Sequence, residues 1–175
     1  HGYYDEVLRN VLSPADKMYK DDFVSAGTHI AAAMDTLICR VNDLENVAET
    51  MKANRGQIAA LIIEPVCYNM GGVSLDDEFL RGLRSLCDQE GIILIFDEVV
   101  TGYRVGLGSY ESICGVHSDL ITLGKAIANG YQLAAICGKE EIMNRFNSTE
   151  TGDVIIQSTF NGNSIMAAAG AATID

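Results

Sequence analysis

The run Ile92-Ile93-Leu94-Ile95-Phe96 constrains the fold more than any other stretch of the chain. It is short, apolar and rich in β-branched side chains, with Gly91 before it and Asp97-Glu98 at its end. Such a run reads as a strand covered on both faces, as in the parallel sheet of an α/β protein. Residues 76–90 precede it. There Phe79, Leu80, Leu83, Leu86 and Cys87 recur on one helical face, and Gly91 suits the helix end.

The same alternation continues along the chain. Residues 36–41 are a short strand candidate. Residues 42–54 predict a helix, capped by Asn42 or Asp43, with Leu44, Val47, Ala48 and Met51 on one face. Residues 58–63 predict a strand that stops at Glu64-Pro65, and 120–123 a strand that stops at Gly124-Lys125. Further on come a short helix at 109–115, a strand at 133–137, a helix at 140–146 and a strand or loop at 155–159. A final helix is capped by Ser164. Residues 21–35 lack a clear period and predict a loop with short structure. Strand–helix–strand alternation with short connections gives an α/β class with a mostly parallel sheet flanked by helices.

In open α/β sheets, functional groups gather at the carboxyl ends of strands. Asp97 and Lys125 both stand at such ends, so both can face one crevice. A carboxylate that keeps a pyridine nitrogen protonated, paired with an amine that forms a Schiff base, is what pyridoxal-phosphate chemistry requires. Taken singly, Asp97 reads as a turn cap and Lys125 as an ordinary surface lysine; taken with the rest of the chain, the pairing prevails. An apolar strand ending in Asp-Glu also occurs in P-loop ATPases. Neither Gly-Lys pair, Gly124-Lys125 or Gly138-Lys139, is followed by Ser or Thr, so that reading lacks its partner motif.

Composition narrows the function classes. The 175 residues suffice for one α/β domain, and the net charge of −12 opposes nucleic-acid binding. Cys39, Cys67, Cys87, Cys114 and Cys137 are odd in number and show no C-x-x-C spacing, so no metal is expected. Scattered free cysteines point to a reducing, cytoplasmic compartment. No apolar run is long enough to span a membrane.

Four ordered segments carry a family resemblance: IIEPVCYNMGG (62–72), FLRGLRSLCDQEGIILIFDEVVTGYR (79–104), GVHSDLITLGKAIANGYQLAAICGKEEIM (115–143) and STFNGNSIMAAAGAAT (158–173). With HGYYDE at the start and TLICRVNDLENV (36–47), the chain resembles class-III, fold-type-I aminotransferases. The similarity is closest to the glutamate-1-semialdehyde aminomutase-like branch. It implies pyridoxal 5'-phosphate as cofactor, small-molecule amino donors and acceptors as substrates, and a homodimer. The implied reaction is transamination or a 1,2-amino shift through a Lys125 Schiff base.

The resemblance also implies residue roles. Lys125 forms the Schiff base and shuttles the proton. Asp97 pairs with the pyridine nitrogen. Val99 packs on the ring face or serves only the core. Asn69 reaches the ring hydroxyl or the substrate side, or else serves the turn before Gly71-Gly72. Thr159 is offered to the phosphate of a neighbouring subunit or is a plain strand residue. Glu64 faces the crevice or joins a structural ion pair, with the ion pair slightly favoured. His1 follows the position of a ring-stacking aromatic, while His29 and His117 are expected at the surface.

Some positions depart from the family pattern. Val100 stands where other branches carry Gln, Gln132 where Pro is usual, and Ser164 where Pro often begins the helix. By the same resemblance, residues 1–175 form the central part of the cofactor-binding large domain, without the phosphate-cup loop or the C-terminal small domain. The competing expectation is a catalytically incomplete fragment that acts only as a folded or dimerising module.

Overall fold

A computed structural model describes residues 2, 4–9, 27–147, 149 and 152–175. His1 lies outside the described residues. The first helices are α1 (Ile30–Met34) and α2 (Leu44–Ala53). Asp43 caps α2, its carboxylate accepting from the Asn46 amide at 3.0 Å. Strand β1 (Ala60–Ile63) follows, then a small antiparallel pair, β2 (Val66–Cys67) and β3 (Val73–Ser74), closed over a 3-10 turn at Tyr68–Met70. Helix α3 (Asp77–Glu90) leads into β4 (Ile93–Glu98). Gly91 ends α3 at φ 68, a left-handed conformation that glycine adopts without steric cost.

Next come α4 (Glu111–Cys114), β5 (Leu120–Leu123), β6 (Ala135–Gly138), α5 (Glu140–Met143) and α6 (Ser164–Ile174). The main sheet has the order β1-β4-β5-β6. Its first three strands are parallel, and β6 returns antiparallel along β5. The α/β class with a mostly parallel sheet is therefore observed.

Strand register decides which side chains share a face. Leu61 pairs with Leu94, and Ile63 with Phe96. All four point toward α2 and α3, where Val47, Met51, Phe79, Leu80, Leu83 and Cys87 complete the core. Each fully buried Leu or Phe there contributes roughly 1.5–3 kcal/mol through removal from water. The opposite face is less covered: Ile62 is 37% exposed and Ile136 40%. The expected flanking by helices is observed, with α2 and α3 packed together on one side of the sheet. A second, smaller cluster of Leu123, Ile127 and Ala128 packs with Leu133 and Ala169 of α6.

Several local expectations change. Residues 36–40 are not a strand; the Arg9 guanidinium, rather than a β ladder, takes up the Thr36 carbonyl at 2.9 Å. Asp97 and Glu98 lie within β4 rather than beyond it. Residues 155–159 are loop. Asn163, one residue before Ser164, caps α6 by accepting from the Ile165 and Met166 amides at 3.1 and 3.2 Å. Helix 140–146 divides into α5 and a 3-10 turn at Asn144–Phe146.

Candidate functional site

Asp97 is only 9% exposed, near the carboxyl end of β4. A buried carboxylate is costly unless its oxygens accept hydrogen bonds. Its Oδ1 accepts from the Val99 amide at 3.1 Å and from the Thr122 hydroxyl at 3.3 Å. Thr122 is its register partner on β5, so the parallel ladder brings this hydroxyl to the carboxylate. Alternation along β4 sets Asp97 on the less covered face, with Ile93 and Ile95.

Lys125 begins one residue beyond the Gly124 that follows β5 and is exposed. Its φ is 44, a left-handed conformation that costs an L-residue roughly 1–2 kcal/mol. The surroundings impose it. Lys125 opens a 3-10 turn, Lys125–Ala128, in which Ile127 donates its amide to the Gly124 carbonyl at 3.1 Å. Ile127 and Ala128 are buried in the cluster that includes Ala169 of α6. Strain held in this way is a signature of sites where geometry is fixed for a purpose.

Val99 joins the two halves of the cluster. A Cβ added at Gly124 would lie 3.2 Å from Val99 Cγ1, so the glycine lets this side chain seat against the backbone before Lys125. On the other side, β1 ends at Ile63, paired with Phe96, and Glu64 follows directly after it. Glu64 is half-buried, and burial followed by the Asp97 charge pushes its carboxyl above the usual range. The Tyr68 backbone and Lys125 act in the opposite sense. Among the described residues Glu64 makes no ion pair.

Asp97, Val99 and Lys125 are therefore brought together at one end of the sheet, with Thr122 and Glu64 added. Glu64 was already a candidate from the sequence; Thr122 was not, and only strand register reveals it. Asn69 is exposed in the 3-10 turn before Gly71, and Thr159 is exposed in the loop before α6. His29 and His117 are exposed, as expected.

The donor set fits a pyridoxal-phosphate ring. It offers a buried carboxylate oriented by the Val99 amide and the Thr122 hydroxyl, an apolar side chain on close-packed backbone and an amine on the same edge.

Comparison with known proteins gives consistent results. The aminotransferase class-III family profile matches residues 7–175. The glutamate-1-semialdehyde 2,1-aminomutase of Chloroherpeton thalassium is 46% identical over 174 residues, covering 99% of this chain and 39% of that protein. The Acetivibrio thermocellus protein of the same name is 44% identical, with 99% and 40% covered. A solved structure described as a transaminase with PLP bound superposes with a TM-score of 0.90 at 27% identity, covering 99% of this chain and 40% of that one. An omega-transaminase from Sphaerobacter thermophilus gives 0.90 at 29% identity, with 99% and 41% covered. The chain spans about 40% of the length of the curated relatives it matches.

Proposed function

The chain belongs to the class-III aminotransferase family, and from that premise we propose that it serves pyridoxal-phosphate-dependent amino-group transfer, as a transaminase or a 1,2-aminomutase. The carrying observation is the placement of Asp97 and Lys125 at the ends of adjacent parallel strands, with Val99 seated on Gly124 between them. The cofactor is pyridoxal 5'-phosphate. When bound, it supplies an electron sink that stabilises negative charge at the substrate carbon.

The chain's own residues then divide the work. Asp97 accepts the hydrogen bond of the protonated ring nitrogen, with Thr122 and the Val99 amide fixing its orientation. Lys125 would hold the cofactor through Nζ, and Nζ, once displaced from it by the substrate's amine, would be the free amine that moves the proton to and from the substrate carbon. Val99 packs on the ring face. Asn69 contacts the ring hydroxyl or the substrate side. Thr159, exposed in its loop, reaches the phosphate bound in a second copy, which makes the working unit a homodimer. Substrates are small amino donors and acceptors. The five cysteines are unpaired, in keeping with the reducing cytoplasm. Residues 1–175 are the central part of the cofactor-binding large domain.

The test is the visible absorbance of the protein with added pyridoxal phosphate, before and after borohydride, followed by peptide mapping. A yellow band reduced onto Lys125, and missing from Lys125→Ala, is expected. A band that survives in Lys125→Ala would refute the assignment. The exposure of Lys125 favours a second reading, in which this span alone folds without being catalytically complete. Turnover by the isolated 175 residues with a panel of amino donors would eliminate it.

A further inference from the structure

Glu98 follows Asp97 on β4, so alternation sends its side chain to the opposite face. It is 0% exposed. A buried carboxylate needs several acceptor contacts to offset lost hydration. Both of its oxygens accept from the Tyr110 amide, Oε1 at 3.0 Å and Oε2 at 2.8 Å. Oε2 also accepts from the Thr101 hydroxyl at 3.2 Å. The nearby Ser109 side chain also favours its charged form. The Glu98 carbonyl accepts from the Gly102 amide at 2.8 Å.

One residue therefore grips both ends of segment 99–110, at Thr101-Gly102 and at Tyr110. The approach is close: a Cβ at Gly102 would lie 2.7 Å from the Glu98 carbonyl oxygen and 2.6 Å from Leu123 Cδ2. Tyr103 and Ser109 take left-handed φ of 60 and 58, so the segment does not settle into a relaxed turn by itself. Its first residue is Val99, whose amide orients Asp97 and whose side chain packs beside Gly124.

We propose that Glu98 is a positioning residue for cofactor binding: by clasping segment 99–110 it fixes Val99, and through Val99 the orientation of Asp97 and the seat of Lys125. This inference rests on the pyridoxal-phosphate reading above. The side-chain chemistry predicts a graded response. A glutamine keeps one acceptor oxygen, and a leucine of similar size keeps none.

The experiment uses the protein at full natural length and compares Glu98→Leu, Glu98→Gln, Thr101→Val and Asp119→Asn. Asp119 is the control: it is also a buried carboxylate bonded to β4, but at Leu94, near the strand's other end. Apo-protein Tm, the Kd for pyridoxal phosphate well below Tm, and the position of the visible band are measured for each. Glu98→Leu should raise Kd by about 10-fold or more, since about 1.4 kcal/mol corresponds to each factor of ten. Glu98→Gln and Thr101→Val should give smaller increases and a shifted band. Asp119→Asn should lower Tm yet leave Kd and the band unchanged. If Glu98→Leu does not fold, the two milder variants decide. Unchanged affinity and band in both would overturn this inference alone, as would an equal loss of affinity in Asp119→Asn. Failure of the wild-type protein to bind pyridoxal phosphate would overturn the functional reading and this inference together.

Discussion

Asp97 commits its Oδ1 to two donors, which sets the plane of its carboxylate before any ligand arrives. Asp97→Asn keeps that geometry with little change in volume but removes the charge opposite the ring nitrogen. Steady-state kinetics should show kcat lower by on the order of 100-fold, the scale of losing one electrostatic contact to the reacting system. Cys87 illustrates the opposite environment. Burial pushes its thiol up to about 11, so it stays protonated at pH 8. A maleimide should label exposed Cys137 in the folded protein, with Cys87 reacting only after denaturation; mass spectrometry of the labelled peptides checks this. At this scale the sequence showed Asp97 and Lys125, because the two follow apolar strand runs as a carboxylate–amine pair within segments that resemble one family. It did not show Thr122 or Glu98, whose importance comes from what lies across the ladder and at the far end of a loop.

Among the elements, α3 was legible because its apolar positions repeat with helical period and Gly91 marks its end. Helix α2 was equally legible, with Asp43 as its cap. Asp43→Ala should cost about 1 kcal/mol, measured as a lower denaturation midpoint at unchanged m. Segment 36–41 was misread because β-branched composition reports what suits a strand, whereas a strand also needs a neighbour. The β2–β3 pair was missed because two residues on each side carry no period. The 99–110 connection is tighter than its sequence suggests. Gly102→Ala would push a methyl group into the Glu98 carbonyl, so a loss of roughly 1–3 kcal/mol is expected in thermal or denaturant unfolding.

Across the whole molecule, Asp119 ties three elements together. It accepts from the Leu94 amide of β4 at 2.7 Å, from Arg84 of α3 at 2.9 Å and from Lys139, just after β6, at 2.6 Å. Burial pushes its carboxyl up, but Lys139, the Leu94 amide and Arg84 outweigh burial and hold it below the usual range. Its stabilising contribution is therefore present above the ordinary carboxylate pKa and is lost as pH falls through about 4 and below. Asp119→Asn should cost on the order of 2 kcal/mol at pH 7. Lys139 is half exposed and solvent-screened, which limits its share. The gap from wild type should narrow in denaturation curves recorded near pH 3. Glu64 and Glu98 have the opposite sign. Burial raises both, so their ionisation opposes folding as pH climbs and acid relieves it. Among the described residues, no helix is long and apolar enough to cross a membrane.

By itself, the sequence determined the α/β class, the principal helices and the pairing of one strand-end carboxylate with one lysine. Those features are local: hydrophobic period, glycine punctuation and residue type report them within a few positions. Tertiary structure decided what those residues meet. The β4-β5 register placed Thr122 beside Asp97. Docking of α6 against the Lys125 turn held a strained backbone, and a buried Glu98 closed a loop across 12 residues. Such contacts depend on strand alignment and helix docking, for which no single stretch of sequence carries the period.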